Sequence, residues 1–189
     1  LGILTSFSLP PYNLIFINFL TLPVLLYILV NYVDEKTISF FVGWIFGFGY
    51  FISNLYWITN SLTFDVNFKF IIPFALILIP LFLGIFYGLV TFLCNFFNLK
   101  NKISSILIFS IFFGGIEFLR SFIFGGFPWN LVIFSLSNNL PSLQILSYIG
   151  TYSLNLLLIT IFLLPAIFFF KSKSLTKLII FSLSLILVL

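Results

Sequence analysis

The chain has 189 residues, 62% hydrophobic and 6% charged, with 30 Phe and a mean hydropathy of +1.29. Ordinary soluble domains carry roughly a quarter charged residues, so the polar side chains cannot cover a water-facing surface and a soluble globular domain is excluded. Eight Lys+Arg against four Asp+Glu, no His and a single Cys, Cys94, exclude a basic nucleic-acid face, His dyads, His-ligated metals, zinc clusters and internal disulfides; neither metal nor cofactor is expected.

Taken in order, residues 1–9 are apolar and end at Pro10-Pro11-Tyr12-Asn13, where two prolines remove backbone donors and predict a turn. This is the tail of a first helix. The first residue is Leu1, Met is absent, and the sequence stops inside an apolar run at Leu189, so the chain reads as a piece cut at both ends. No basic n-region of a signal peptide precedes Asp34, the first charge. Residues 14–33 form a second, uncharged span long enough to cross a hydrocarbon core of about 30 Å. A third span covers 39–60 and closes on Tyr56-Trp57, aromatics of the kind that sit at headgroup level.

Asp65 and Lys69 mark the next loop, and a fourth span runs over 70–97 with Pro73 and Pro80 inside it. A fifth covers 103–124, after which Gly125-Gly126-Phe127-Pro128-Trp129-Asn130 is the strongest turn composition in the chain. The mixed stretch 130–143 predicts an interfacial or re-entrant segment. A sixth span covers 145–170, and a seventh begins near 175 and is truncated. The fold class expected is an all-α polytopic transmembrane bundle of six to seven spans.

Loops alternate sides, so charge can be read by side. Lys36, Lys100, Lys102, Lys171, Lys173 and Lys177 follow the second, fourth and sixth spans, while the other side carries at most Lys69 and Arg120. The positive-inside bias puts the Lys-rich loops in the cytoplasm and the Gly-Phe-Pro-Trp loop outside.

Glu117 and Arg120 lie three apart on the fifth helix, with Glu117 roughly 21 Å into it. An ionisable group at that depth costs about 2.5–3.5 kcal/mol on insertion scales and faces the bundle or a wet cavity. The pair reads either as paired structural glue or a snorkelling Arg, or as a polar anchor for a lipid-exposed active site. Gly43-Trp44-Ile45-Phe46-Gly47 and Gly84-Ile85-Phe86-Tyr87-Gly88 are G-x-x-x-G patterns that let helices approach closely, and packing is the expected role. Cys94, in an apolar setting with no His, reads as a small inert hydrophobe.

Glu117-Phe118-Leu119-Arg120, followed five residues later by Gly126-Phe127-Pro128-Trp129-Asn130, resembles the E-F/W-L-R and G-F-P-W signature of bacterial apolipoprotein N-acyltransferases. Phe7 to Tyr12, Gly43 to Gly49 with Tyr56-Trp57, and Gln144 to Asn155 are similar to further stretches of that family, in family order. The resemblance implies that residues 1–189 are the N-terminal membrane domain of an inner-membrane enzyme. That enzyme moves an acyl chain from a phospholipid donor to the amino group of a diacylglyceryl-cysteine apolipoprotein acceptor. Its Glu, Lys and nucleophilic Cys are implied to lie in a nitrilase-like domain after residue 189, so no catalytic residue is expected within the chain, Cys94 included, and the chain alone is expected to be inactive. Gly126, Phe127, Pro128 and Trp129 match the family's outer loop near the lipid entrance. A transporter is the alternative reading, and a catalytically silent scaffold a third; against transport, the chain has no pseudo-symmetric pair of broken helices.

Overall fold

The computed structural model describes residues 1–97, 99, 104–123, 128 and 130–170. Five stretches of these are long and apolar enough to cross a membrane: Ile15–Tyr32, Lys36–Thr63, Val66–Cys94, Ser104–Ile123 and Thr151–Phe169. No strand occurs among the described residues, and the architecture is an all-α polytopic bundle. The seventh span expected from about 175 lies outside the described residues, as do Lys100, Lys102, Lys171, Lys173 and Lys177.

The opening stub is a short helix, α1 (Gly2–Ser6), and the di-proline turn follows it. Leu14 N–H returns to Phe7 O at 2.9 Å across that turn, closing it as a compact loop. Next come α2 (Asn18–Tyr32), α3 (Lys36–Leu55), α4 (Ile72–Cys94) and α5 (Ser104–Ile123). Twenty residues in α3 give a helix of about 30 Å, the thickness of the hydrocarbon core. The third and fourth helices are therefore shorter than the hydropathy suggests. Residues Tyr56–Thr63 and Val66–Ile71 instead form two 3-10 turns that carry the connection beyond the helix ends. Pro73 falls in the first turn of α4, where a missing N–H costs nothing, and only Pro80 lies inside the helix.

The sixth span also differs from expectation. A short helix, α6 (Leu140–Gln144), precedes it, and the span itself divides into α7 (Leu146–Ile149) and α8 (Thr151–Leu163), with a 3-10 turn over Leu164–Phe169. Gly150, at φ 80°, breaks it: that backbone conformation strains any residue with a Cβ. Pro165 falls at the second change, where it opens the 3-10 turn at a position that needs no N–H donor.

Lipid offers no hydrophobic drive for helices to associate, so close packing and cross-helix hydrogen bonds must do it. The antiparallel pair α3 and α4 uses both. A Cβ at Gly43 would stand 2.2 Å from Thr91 Oγ1 and 2.3 Å from Tyr87 O, and one at Gly47 would stand 2.9 Å from Gly84 Cα. The two G-x-x-x-G faces thus pack on each other, as their spacing predicts. At the end of this seam Ser39 Oγ–H donates to Thr91 O at 2.7 Å, and Thr91 Oγ1–H donates to Ser39 O at 2.6 Å. Trp44 Nε1–H adds a bond to Leu81 O at 2.8 Å.

Gly43→Ala is expected to destabilise the bundle by about 1–3 kcal/mol, because Tyr87 O and Thr91 cannot both retreat. Gly115, whose Cβ would meet nothing within 4 Å, is the control: Gly115→Ala should stabilise α5 by about 0.5–1 kcal/mol. Thermal midpoints of the two variants in detergent check both signs.

Candidate functional site

The fifth helix brings its two charges to the bundle's interior. Glu117 is 0% and Arg120 1% exposed. Arg120 is not the outward loop charge that the sequence count makes it; it belongs to the buried face of α5, where its guanidinium lies over the Phe51 ring at 5.3 Å and interacts coulombically with Glu117. Among the described residues this leaves Lys69 alone on that side of the charge comparison.

Both carboxylate oxygens of Glu117 are engaged. Tyr87 Oη–H donates to Oε1 at 2.8 Å, and Asn155 Nδ2–H donates to Oε2 at 2.5 Å. One acid therefore ties α4, α5 and α8 together. Around it Tyr87 packs on Phe113 at 4.7 Å, Phe51 at 5.2 Å and Tyr50 at 5.7 Å between ring centroids, a tilted aromatic cage that keeps lipid and water from the carboxylate.

The mixed stretch after residue 130 dips back into the bundle. Val132–Leu136 forms a 3-10 turn, and Leu131, Val132 and Ile133 are each at most 2% exposed. Irregular backbone at membrane depth survives only where protein satisfies it. Two side chains do so here: Asn155 Oδ1 accepts from Ile133 N–H at 2.9 Å, and Tyr50 Oη–H donates to Asn130 O at 2.9 Å. Asn130 itself holds φ 47°, a left-handed conformation that Asn tolerates better than most residues.

Above this network lies a cleft of about 360 Å³, lined by Pro10, Tyr12, Asn54, Trp57, Asn130 and Ser137 among others. Three stretches far apart in sequence meet there: the di-proline turn, the end of the third span and the re-entrant segment. Ser137 Oγ–H donates to Asn13 Oδ1 at 3.1 Å and links two of them directly. The amide nitrogens of Asn54 and Asn130 have no hydrogen-bond partner among the described residues. Pro128 is half-buried just before this segment, whereas Gly126, Phe127 and Trp129 lie outside the described residues. The opposite end carries Lys36, whose Nζ stands 3.7 Å from the centroid of the Phe96 ring. Cys94 is near that end, fully buried and remote from the cleft.

Tyr50, Tyr87 and Asn155 escaped notice as site residues in the sequence. Tyr87 sits inside a G-x-x-x-G pattern and reads as packing; Asn155 is the only Asn in the apolar run 151–169, and that isolation was the available signal.

A helical bundle with these five spans and a buried acid at its centre defines a multi-pass membrane protein. The chain belongs to the apolipoprotein N-acyltransferase N-terminal domain family, whose model matches residues 1–164. It is 30% identical over 175 residues to an apolipoprotein N-acyltransferase of Brucella melitensis, and 29% identical over 177 residues to one of Sinorhizobium medicae. An enzyme of the same name from Allorhizobium ampelinum is 32% identical over 130 residues, covering 68% of this chain and 24% of its own length. The first two matches cover 88% of this chain and 33% of the relative, so the chain spans about a third of the length of those curated relatives. This membership does not favour the transporter reading.

Glu117→Leu is expected to destabilise the bundle by on the order of 2 kcal/mol, because the buried Tyr87 hydroxyl and Asn155 amide nitrogen then lose the carboxylate to which both donate. Glu117→Gln keeps an acceptor oxygen and an adaptable amide and should lose much less. Thermal unfolding in detergent separates the two; equal losses would refute the assigned network.

Proposed function

We propose that the chain is the lipid-holding membrane domain of an enzyme that transfers an acyl chain from a phospholipid to the amino group of a diacylglyceryl-cysteine apolipoprotein. The observation that carries this reading is the cleft, because residues from the stretches resembling the family, Pro10–Tyr12, Tyr56-Trp57 and Asn130, line it together. The amide nitrogens of Asn54 and Asn130, without a partner among the described residues, supply donors suited to ester or headgroup oxygens. Gly126, Phe127, Pro128 and Trp129 form the outer loop at the lipid entrance, and Glu117 with Arg120 fixes α5 beneath it.

The chemistry belongs to a nitrilase-like domain following residue 189. A Cys thiolate there attacks the phospholipid ester, giving a thioester and releasing the lysophospholipid. The acceptor's amine then attacks the thioester, forming the amide and returning the thiol. Both substrates are lipids, and each methylene drawn out of the bilayer costs about 0.8 kcal/mol. A pedestal that keeps acyl chains in the membrane while presenting the ester at the rim avoids most of that cost.

In this reading the protein sits in the bacterial inner membrane with its Lys-rich loops cytoplasmic and the cleft periplasmic. Residues 1–189 expressed alone should yield no N-acylated lipoprotein in cells lacking the intact enzyme; mass spectrometry of lipoprotein N-termini reads the result. In the intact protein, Trp129→Ala should lower acyl transfer roughly tenfold at normal protein levels, the loss expected for a misplaced substrate. Transfer at the parental rate would remove the outer loop from the mechanism.

A further inference from the structure

The re-entrant segment presents a problem that its own sequence does not solve. At the start of a 3-10 helix the first two N–H groups, those of Val132 and Ile133, have no partner within the turn. Phe134 N–H reaches back to Leu131 O at 3.1 Å, whereas Ile133 N–H, among the described residues, is met by the side chain of Asn155.

An amide side chain can be turned either way, and here only one way works. Ile133 N–H is a donor and needs the Asn155 oxygen; Glu117 is the acceptor on the other side and needs the Asn155 nitrogen. Glu117 therefore fixes the orientation in which Asn155 can hold the segment. Tyr50 makes a second attachment at Asn130 O, three residues earlier. Between and beyond these two points stand the residues that form one wall of the cleft, Asn130, Phe134 and Ser137.

We infer that Asn155 is a positioning residue: oriented by Glu117, it clamps the backbone at Ile133 and so sets the geometry of the cleft wall. Its relevance to acyl transfer rests on the function proposed above, but the clamp itself does not. Asn155→Leu frees Ile133 N–H and leaves one Glu117 oxygen without its donor. The double variant Glu117→Gln, Asn155→Asp restores every bond with the roles exchanged. The new carboxylate accepts from Ile133 N–H and from the Gln amide, whose oxygen accepts from Tyr87, and the net charge beside Arg120 is unchanged.

The experiment uses the intact gene product in membranes with a Ser137→Cys reporter and N-ethylmaleimide, a permeant reagent that makes the result independent of topology. Cys94, fully buried in the bundle, reports global opening in the same sample. Asn155→Leu should raise the labelling rate at position 137 roughly tenfold, the factor expected when a local opening loses one buried hydrogen bond. Cys94 should stay protected, and the double variant should bring the rate back to the parental value. Unchanged labelling at position 137 would overturn the clamp. So would parallel labelling of Cys94, which would mean that Asn155 serves bundle stability in general. Labelling as expected in a protein that transfers no acyl chain would leave the clamp standing and defeat the transferase reading instead.

Discussion

A carboxylate buried in an apolar bundle is the constraint from which the rest of this architecture follows. Glu117 is inside the hydrocarbon-length portion of α5, about six residues or 9 Å from its end. It can persist there only if its lone pairs are occupied. The occupants come from two other helices, Tyr87 from α4 and Asn155 from α8. Satisfying one side chain thus fixes the azimuth of three helices. A purely apolar contact would tolerate rotation, since any greasy face packs acceptably against any other in lipid; paired donors and acceptors do not.

The bundle divides into two regions with different mechanical characters. Along α3 and α4 the backbones meet through glycines and close with reciprocal Ser39 and Thr91 hydrogen bonds, leaving no room for adjustment. Toward the other end, helical regularity gives way to 3-10 turns, the di-proline loop and the break at Gly150. Tyr50 connects the two, since it belongs to α3 and bonds the re-entrant segment. Irregular backbone is what can shape a cleft, and a rigid helix pair is what can hold that irregularity in place.

Much of the fold was legible because its signals are strong and local. Uncharged runs of membrane-spanning length and the glycine spacings each arise from one physical demand. The bounds were less legible: residues 56–71 are apolar enough to extend two spans, and hydropathy cannot tell an α-helix from a 3-10 turn in the same medium. Gly150 was visible but ambiguous, because glycine inside an apolar run equally serves close packing. At the site, Glu117 and Arg120 announced themselves as charges. Asn155, Tyr87 and Tyr50 did not, since their importance comes from where they meet across 30 to 80 residues of sequence, which no local pattern encodes.

The same geometry keeps the chain's one thiol away from the cleft. Cys94 closes α4 at the end where Ser39, Thr91 and Lys36 lie, buried among apolar side chains, while the cleft opens at the far end of the same helices. A helix of 23 residues separates those ends by about 35 Å, far beyond the few ångströms that a nucleophile and its ester must share. Neither rotamer changes nor a small helix tilt could close such a gap without dissolving the α3–α4 seam. What α4 delivers to the cleft end is Tyr87, a hydrogen-bond donor that steadies Glu117, and through Glu117 and Asn155 the backbone of the cleft wall. The helices of this domain thus act on the cleft by fixing shape, through a relay of hydrogen bonds that begins in the middle of the membrane and ends at its edge.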